Sequence, residues 1–245
     1  MSGAVLVLGG RSDIGLAIAR AYAAEGHAIR LAARRAAELE PEKADIALRH
    51  GVEVSLHEFD ALAVEGHEAF ADGLPEVPEV VVCAVGLLGA EQEELEHDLA
   101  AAREVMRANF EGPANMLSVL ANRMEAAGHG LIIGISSVAG DRGRASNYIY
   151  GAGKAGFTAF LSGLRNRLAK KGVHVLTVKP GFVATKMTEG KDLPEKLTTD
   201  PETLAKAVLR AAGKRRNEVY VKPIWWLVML IIRNIPEAIF KKMSI

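Results

Sequence analysis

Short runs of aliphatic and β-branched residues recur along the chain at 4–8, 28–32, 53–57, 80–84, 131–136, 173–178 and 219–221. Each has the length of a strand, and Gly and Pro punctuate the joints between them and their neighbours. The intervening segments 14–25, 99–127, 150–170 and 201–212 carry apolar residues at helical spacing instead. Strands that alternate with helices in this way specify helices on both faces of a sheet. The expectation is an α/β fold with one doubly wound domain and a seven-stranded, mainly parallel sheet. Two segments stand outside the alternation. Residues 181–200 are polar, contain Thr, Gly and Pro, and fall between a strand and a helix on the carboxyl side of the sheet, as a mobile lid would. Residues 224–232 form an uncharged apolar run that holds both tryptophans of the protein.

With 245 residues the chain can bury a sizeable core, yet one α/β domain accounts for all of it. Thirty basic and thirty acidic side chains leave a formal charge of zero, so no long-range field attracts nucleic acid. A lone cysteine, Cys83, permits neither an internal disulfide nor a metal cluster, which suits a reducing compartment. No basic segment or cleavage site precedes the first apolar run. A cytoplasmic protein without a metal is the expectation.

The first predicted strand runs into Gly9-Gly10-Arg11-Ser12-Asp13-Ile14-Gly15 and then the apolar helix start Leu16-Ala17-Ile18. Strand, tight turn and helix in that order let backbone amides cradle a pyrophosphate, although by itself the run is also an ordinary Gly-rich βα turn. Dinucleotide enzymes select their cofactor about 20 residues further on, at the end of the second strand. Here the chain reads Ala32-Ala33-Arg34-Arg35. A guanidinium can hold a 2′-phosphate, where an acid would take the ribose hydroxyls of NAD. Arg34 therefore points to NADP(H), with NAD(H) as the alternative if these arginines are simply solvated.

Tyr150 and Lys154 lie four residues apart, on one face of the helix they open. A phenol is a poor acid-base catalyst near neutrality, and a fixed cation brings it into range. Tyr148, the rival phenol, has Ala152 at the same offset. Ser136 and Ser137 end the fifth strand, and either hydroxyl is a candidate to hold a substrate carbonyl.

Asn109 in Asn109-Phe110-Glu111-Gly112, Ser137, Tyr150 and Lys154 resemble, in order, the four catalytic residues of the short-chain dehydrogenase/reductase family, and Pro180-Gly181-Phe182-Val183-Ala184-Thr185 resembles its nicotinamide-binding turn. The resemblance implies a Rossmann-type fold and hydride transfer between NAD(P)H and a ketone. It assigns proton donation to Tyr150, the carbonyl oxygen to Ser137, the cofactor ribose to Lys154 and a water to Asn109. The cofactor would be held by Gly9, Arg11, Ser12, Asp13, Ile14, Gly15, Arg34, Asp60, Ala84, Gly86, Tyr150, Lys154, Pro180, Gly181, Val183 and Thr185. It also implies a homo-oligomer paired through the helices at 99–127 and 150–170. Two departures stand out. Asp13 replaces the middle glycine, where its carboxylate should turn towards the helix amides, and Cys83-Ala84-Val85-Gly86 replaces the usual Asn-Asn-Ala-Gly.

Several runs, among them Phe59-Asp60-Ala61-Leu62 and 232–240, resemble more closely the family members that reduce a polyprenyl-phosphate-linked pentose bearing a 2-ketone. That implies a lipid-linked substrate and a flavin oxidase that supplies the ketone. Within this reading Arg142 and Arg144, between Ser137 and Tyr150, would grip a phosphodiester, with solvated loop charges as the alternative. The nine-residue run at 224–232 is too short to span a bilayer, which takes about 20 residues. Lys222, Arg233, Lys241 and Lys242 give it a basic margin suited to peripheral contact with the inner face of the cytoplasmic membrane. Packing into the core or across a subunit contact fits the same periodicity. A reductase of soluble ketones or acyl thioesters needs no such tail, and a non-catalytic dinucleotide-binding regulator would usually lose Tyr150 or Lys154.

Overall fold

The computed structural model describes residues 3–190 and 192–243. Seven parallel strands form one sheet in the order β3-β2-β1-β4-β5-β6-β9. They are β1 (Val5–Leu8), β2 (Ile29–Ala33), β3 (Val54–Glu58), β4 (Val80–Cys83), β5 (Gly130–Ile135), β6 (Val173–Lys179) and β9 (Glu218–Tyr220), with β7 (Phe182–Val183) and β8 (Thr198–Thr199) paired separately. The helices are α1 (Asp13–Ala24), α2 (Glu40–His50), α3 (His67–Asp72), α4 (Gln92–His97), α5 (Leu99–Met106), α6 (Gly112–Ala127), α7 (Tyr148–Leu168), α8 (Pro201–Gly213), α9 (Pro223–Asn234) and α10 (Glu237–Phe240).

The two-residue period of a strand divides the core. Val5 and Val7 of β1 join the cluster under α1 and α8, while Leu6 and Leu8 join the opposite cluster with Met116, Leu120 and Phe157 of α6 and α7. All four β1 side chains are fully buried, so the strand is apolar throughout rather than alternating. β1 pairs with both β2 and β4, and the strand order reverses between β1 and β4. The crevice at the carboxyl ends of these two strands is where doubly wound sheets bind ligands.

The predicted strands all form, but the helix expected over 99–127 does not run unbroken. Arg107–Glu111 makes a π-helical turn between α5 and α6, and Pro113, just beyond Gly112, has no N–H to offer the preceding turn. α2, α3 and α4 are present although the apolar pattern does not mark them: α3 and α4 have only six residues each, and α2 buries one side chain, Ile46. The segment read as a lid makes contacts near both of its ends. Asp13 accepts the Lys186 N–H at 2.7 Å, Thr185 and Thr188 form a capping box, and Trp225 Nε1–H donates to the Leu197 carbonyl at 3.0 Å.

Candidate active site

Gly9 follows β1 at φ +87°, a conformation that L side chains rarely adopt, and a Cβ there would meet the Ala84 backbone at 2.9 Å. A Cβ on Gly15 would stand 2.8 Å from the Gly9 carbonyl oxygen. At both positions only glycine lets the β1–α1 turn close against the end of β4. The Ser12 side chain caps α1 by accepting the Gly15 N–H at 3.1 Å. Asp13 does not turn its carboxylate to the helix amides as expected, because Ser12 already takes that role; it reaches across to residue 186 instead. Arg11 is ion-paired to Glu38.

A cavity of about 360 Å³ lies along this turn and is lined by Gly9, Arg11, Ser12, Asp13, Ile14, Arg34 and Asp60. Arg34 is exposed there, and among the described residues no salt bridge engages it, whereas Arg35 pairs with Glu38 at 3.4 Å. Asp60 holds the following turn by accepting the Leu62 N–H at 2.9 Å. A second cavity of about 260 Å³ shares Ser12, Ile14, Ala84, Gly86 and Thr185 with the first, and adds Asn109, Ser137, Tyr150, Lys154, Pro180, Gly181 and Val183. Two joined cavities in this size range suit an extended ligand with a smaller one at its end.

The two serines differ in their contacts. Ser136 is committed to packing: its hydroxyl contacts Thr158 Oγ1 at 2.6 Å and donates to the Lys154 carbonyl at 3.1 Å. Ser137, which lines the cavity beside Ser136, accepts the Ala139 N–H at 3.1 Å and is hydrogen-bonded to Tyr150. Tyr148 is exposed at the start of α7 and does not line the cavity. Lys154 is buried and donates to the Ile135 carbonyl at 3.0 Å.

Burial dominates the titration of both groups. It pushes Tyr150 up to about 12, against the Ser137 hydrogen bond, and Lys154 down to about 8. The expected lowering of the phenol by Lys154 is therefore not realised in the protein alone, because the ammonium stands 5.8 Å from the Tyr150 ring centre and bonds elsewhere. A phenol kept protonated is nevertheless the form that can give a proton to a carbonyl oxygen.

Asn109 sits in the π-helical turn and is fully buried. Its Nδ2 donates to the Leu87 and Val105 carbonyls at 2.6 and 2.8 Å, and its Oδ1 accepts the Leu87 N–H at 3.3 Å. A Cβ on Gly86 would meet Asn109 Oδ1 at 3.0 Å and Lys154 Nζ at 3.2 Å, so these three residues converge.

Two side chains depart from the sequence reading. Arg142 lies outside the cleft: it donates to the Ile232 and Ile235 carbonyls at 2.6 and 2.7 Å, pairs with Glu237 at 2.9 Å and stacks on Phe240. The free carbonyls at the end of α9 and the negative end of its dipole draw the guanidinium there. Asp141 pairs with Lys179 at 3.0 Å and accepts from the Tyr220 hydroxyl at 2.6 Å, so it does not neutralise Arg142. Replacing Arg142 with Ala should cost about 1–3 kcal/mol of stability and expose the segment after Asn234 to protease. An unchanged melting temperature with an unchanged digestion pattern would refute this.

Trp225, within the apolar run 224–232, forms a wall of the second cavity. It packs edge-on to Phe182 at 5.3 Å, and a Cβ on Gly181 would overlap its ring at 1.9 Å. A residue 44 positions away closing on a glycine leaves no trace in local sequence.

A glycine cradle that Cβ atoms would fill, at the switch point of a parallel sheet and joined to a Ser137–Tyr150–Lys154 cluster, defines an NAD(P)-dependent oxidoreductase. A profile of the short chain dehydrogenase family matches residues 3–196. An uncharacterized oxidoreductase of Mycobacterium tuberculosis is 36% identical over 244 residues, covering 98% of this chain and 96% of its own. An acetoacetyl-CoA reductase of Rhizobium meliloti is 32% identical over 206 residues, with 82% and 81% covered. The solved structure of a short-chain dehydrogenase from Sphingobium yanoikuyae in complex with NADPH shares the fold, with a TM-score of 0.81 at 23% identity over 96% of this chain and 97% of that one. The chain belongs to the short-chain dehydrogenase/reductase family.

Proposed function

We propose that this enzyme uses NADPH to reduce a ketone on a polyprenyl-phosphate-linked pentose taken from a membrane surface. The observation that carries the lipid part is the tail: Trp225 and Met229 anchor α9 beside the active site, while Ile224, Trp226, Leu227, Leu230 and Ile231 face outward. Arg233 in the last turn of α9 and Lys241 and Lys242 after α10 are exposed, a pattern suited to anionic headgroups. Among the described residues no helix is long and apolar enough to cross a membrane, so contact would be peripheral. The resemblance of several runs to decaprenylphosphoryl-2-keto-ribose reductase supports the same substrate, whose ketone a separate flavin oxidase would supply.

NADPH, when bound, supplies the hydride. Tyr150 donates its phenolic proton to the carbonyl oxygen, and Ser137 donates a hydrogen bond to the same oxygen. Lys154 holds the cofactor ribose. Asn109 keeps the Leu87 loop and Gly86 in register with Lys154, and the water assigned to it by resemblance would sit on this side of Lys154. Arg34, at the end of β2 and without a salt bridge among the described residues, fits a 2′-phosphate, and the NADPH bound to the Sphingobium structure agrees with that preference. Exposed Leu99, Met106 and Phe110 on α5 and the π-helical turn offer a face for a second copy, in keeping with a homo-oligomer.

The pH response follows from Lys154. Its ammonium is charged below about 8 and neutral above it. NADPH affinity should therefore weaken as pH rises through 8, by about tenfold per unit at the limit of one proton. Lys154→Met should lose that dependence, and a wild-type affinity flat across the neutral and alkaline range would contradict it.

The lipid-linked reading is tested by comparing turnover of a polyprenyl-phosphoryl keto-pentose with the same sugar lacking lipid, using NADPH and NADH. Much higher kcat/KM for the lipid form with NADPH is expected, and equal values for both sugars or both cofactors would refute the corresponding part. The similarity to acetoacetyl-CoA reductase favours one other reading, reduction of a soluble acyl thioester, which the same assay run with acetoacetyl-CoA would reveal.

A further inference from the structure

The loop between Ser137 and Tyr150 carries two polar groups that the fold leaves unused. Arg144 lines the same cavity as Ser137 and Tyr150, and its Nε–H is buried with no acceptor. Among the described residues no hydrogen bond or salt bridge engages this guanidinium, and burial alone depresses its basicity. Asn147 lines the cavity as well, and its Oδ1 is buried with no donor. It precedes α7 but does not cap it, since the Ile149 N–H is taken by Gln92 Oε1 at 3.2 Å. Glu91, the acidic residue on the same cavity wall, has a partner of its own.

A buried donor and a buried acceptor left without partners each cost free energy, and such pairs persist where a ligand completes them. The surroundings hold the pair in place from behind. Asp141 is tied to Lys179 and Tyr220, and Arg142 is tied to the tail, so the loop is pinned on its outer side while Arg144 stays free.

We infer that Arg144 and Asn147 form a substrate subsite for an oxyanion, a phosphate ester or a carboxylate, next to a hydroxyl group on the ketone being reduced. Arg144 donates to the oxyanion and Asn147 Oδ1 accepts from the hydroxyl. The substrate class is then an anionic, hydroxylated ketone. This rests on the reductase reading but not on the lipid one, because a water-soluble sugar phosphate satisfies it equally.

The test compares ribulose 5-phosphate with ribulose as substrates for the wild type and for Arg144→Met. The wild type should prefer the phosphorylated ketone by roughly 10- to 100-fold in kcat/KM, the worth of a charge-assisted hydrogen bond to a buried guanidinium. Arg144→Met should erase that ratio, and Asn147→Ala should lower kcat/KM for both sugars while leaving the ratio. A ratio near one in the wild type, or one that survives in Arg144→Met, overturns the inference. Calorimetric binding of methyl phosphate to the NADPH-saturated protein probes the subsite independently of turnover. Binding in the wild type and its loss in Arg144→Met is expected; absent or unchanged binding overturns the subsite. Acetate in place of methyl phosphate separates the two anion sources, since a carboxylate subsite binds it at least as well. Ketones that go unreduced while methyl phosphate still binds through Arg144 would fault the reductase reading and leave the subsite standing.

Discussion

Tyr150→Phe should lower the rate of ketone reduction by roughly 10²- to 10⁴-fold, the range that general acid-base catalysis contributes. The ring fills the same space, so the substitution removes the proton donor and little else. Tyr150 is hydrogen-bonded to Ser137, and burial pushes its phenol up to about 12, so at neutral pH the wild type holds a proton ready on that oxygen. Affinity for NADPH should stay near the wild-type value, because Lys154 remains bonded to Ile135. Single-turnover reduction with saturating cofactor measures the chemical step directly. Turnover within a few-fold of wild type would remove Tyr150 from the mechanism.

Exchanging Trp226, Leu230 and Ile231 together for Asp should abolish binding to anionic vesicles and lower turnover of a lipid-linked ketone by at least about 10²-fold. Each large apolar side chain contributes about 1.5–3 kcal/mol when withdrawn from water, and the added acids repel the headgroups. Trp226 and Ile231 are 55% and 59% exposed, so the exchange should leave the fold intact. Reduction of a soluble ketone should persist. Deleting the tail is the poorer experiment, since Trp225 and Met229 pack with Val138 and Phe182 and would be lost with it. Vesicle co-sedimentation beside both activities separates the outcomes: loss of both activities together marks the face as structural, and unchanged vesicle binding removes the membrane from the picture.

Much of the architecture is legible because it depends on local periodicity. β1, β4 and β5 show as apolar runs, since a parallel strand covered on both faces must be apolar at nearly every position. Tyr150 and Lys154 show because four residues is one helical turn. Gly9 and Gly15 show because a tight βα turn admits nothing larger. Other features are hidden for equally physical reasons. The π-helical turn at Arg107–Glu111 is flanked on both sides by residues in helical conformation, so the segment passes for continuous helix.

Local sequence is enough for the seven strands of the main sheet, their alternation with helices, the cofactor turn and the phenol–ammonium pair, all of them properties of neighbours within a turn or two. The packed fold settles the remainder. It ties the Ser136 hydroxyl to Thr158 and Ser137 to Tyr150, sends Arg142 to carbonyls 90 and 93 residues away, and among the described residues leaves Arg144 Nε without an acceptor. It sets Trp225 against Gly181, and it lets burial outweigh the neighbouring cation in fixing the proton on Tyr150. Partner choice for a polar side chain depends on which unsatisfied groups and how much water the fold leaves within reach, and that is a property of distant segments brought together rather than of local sequence.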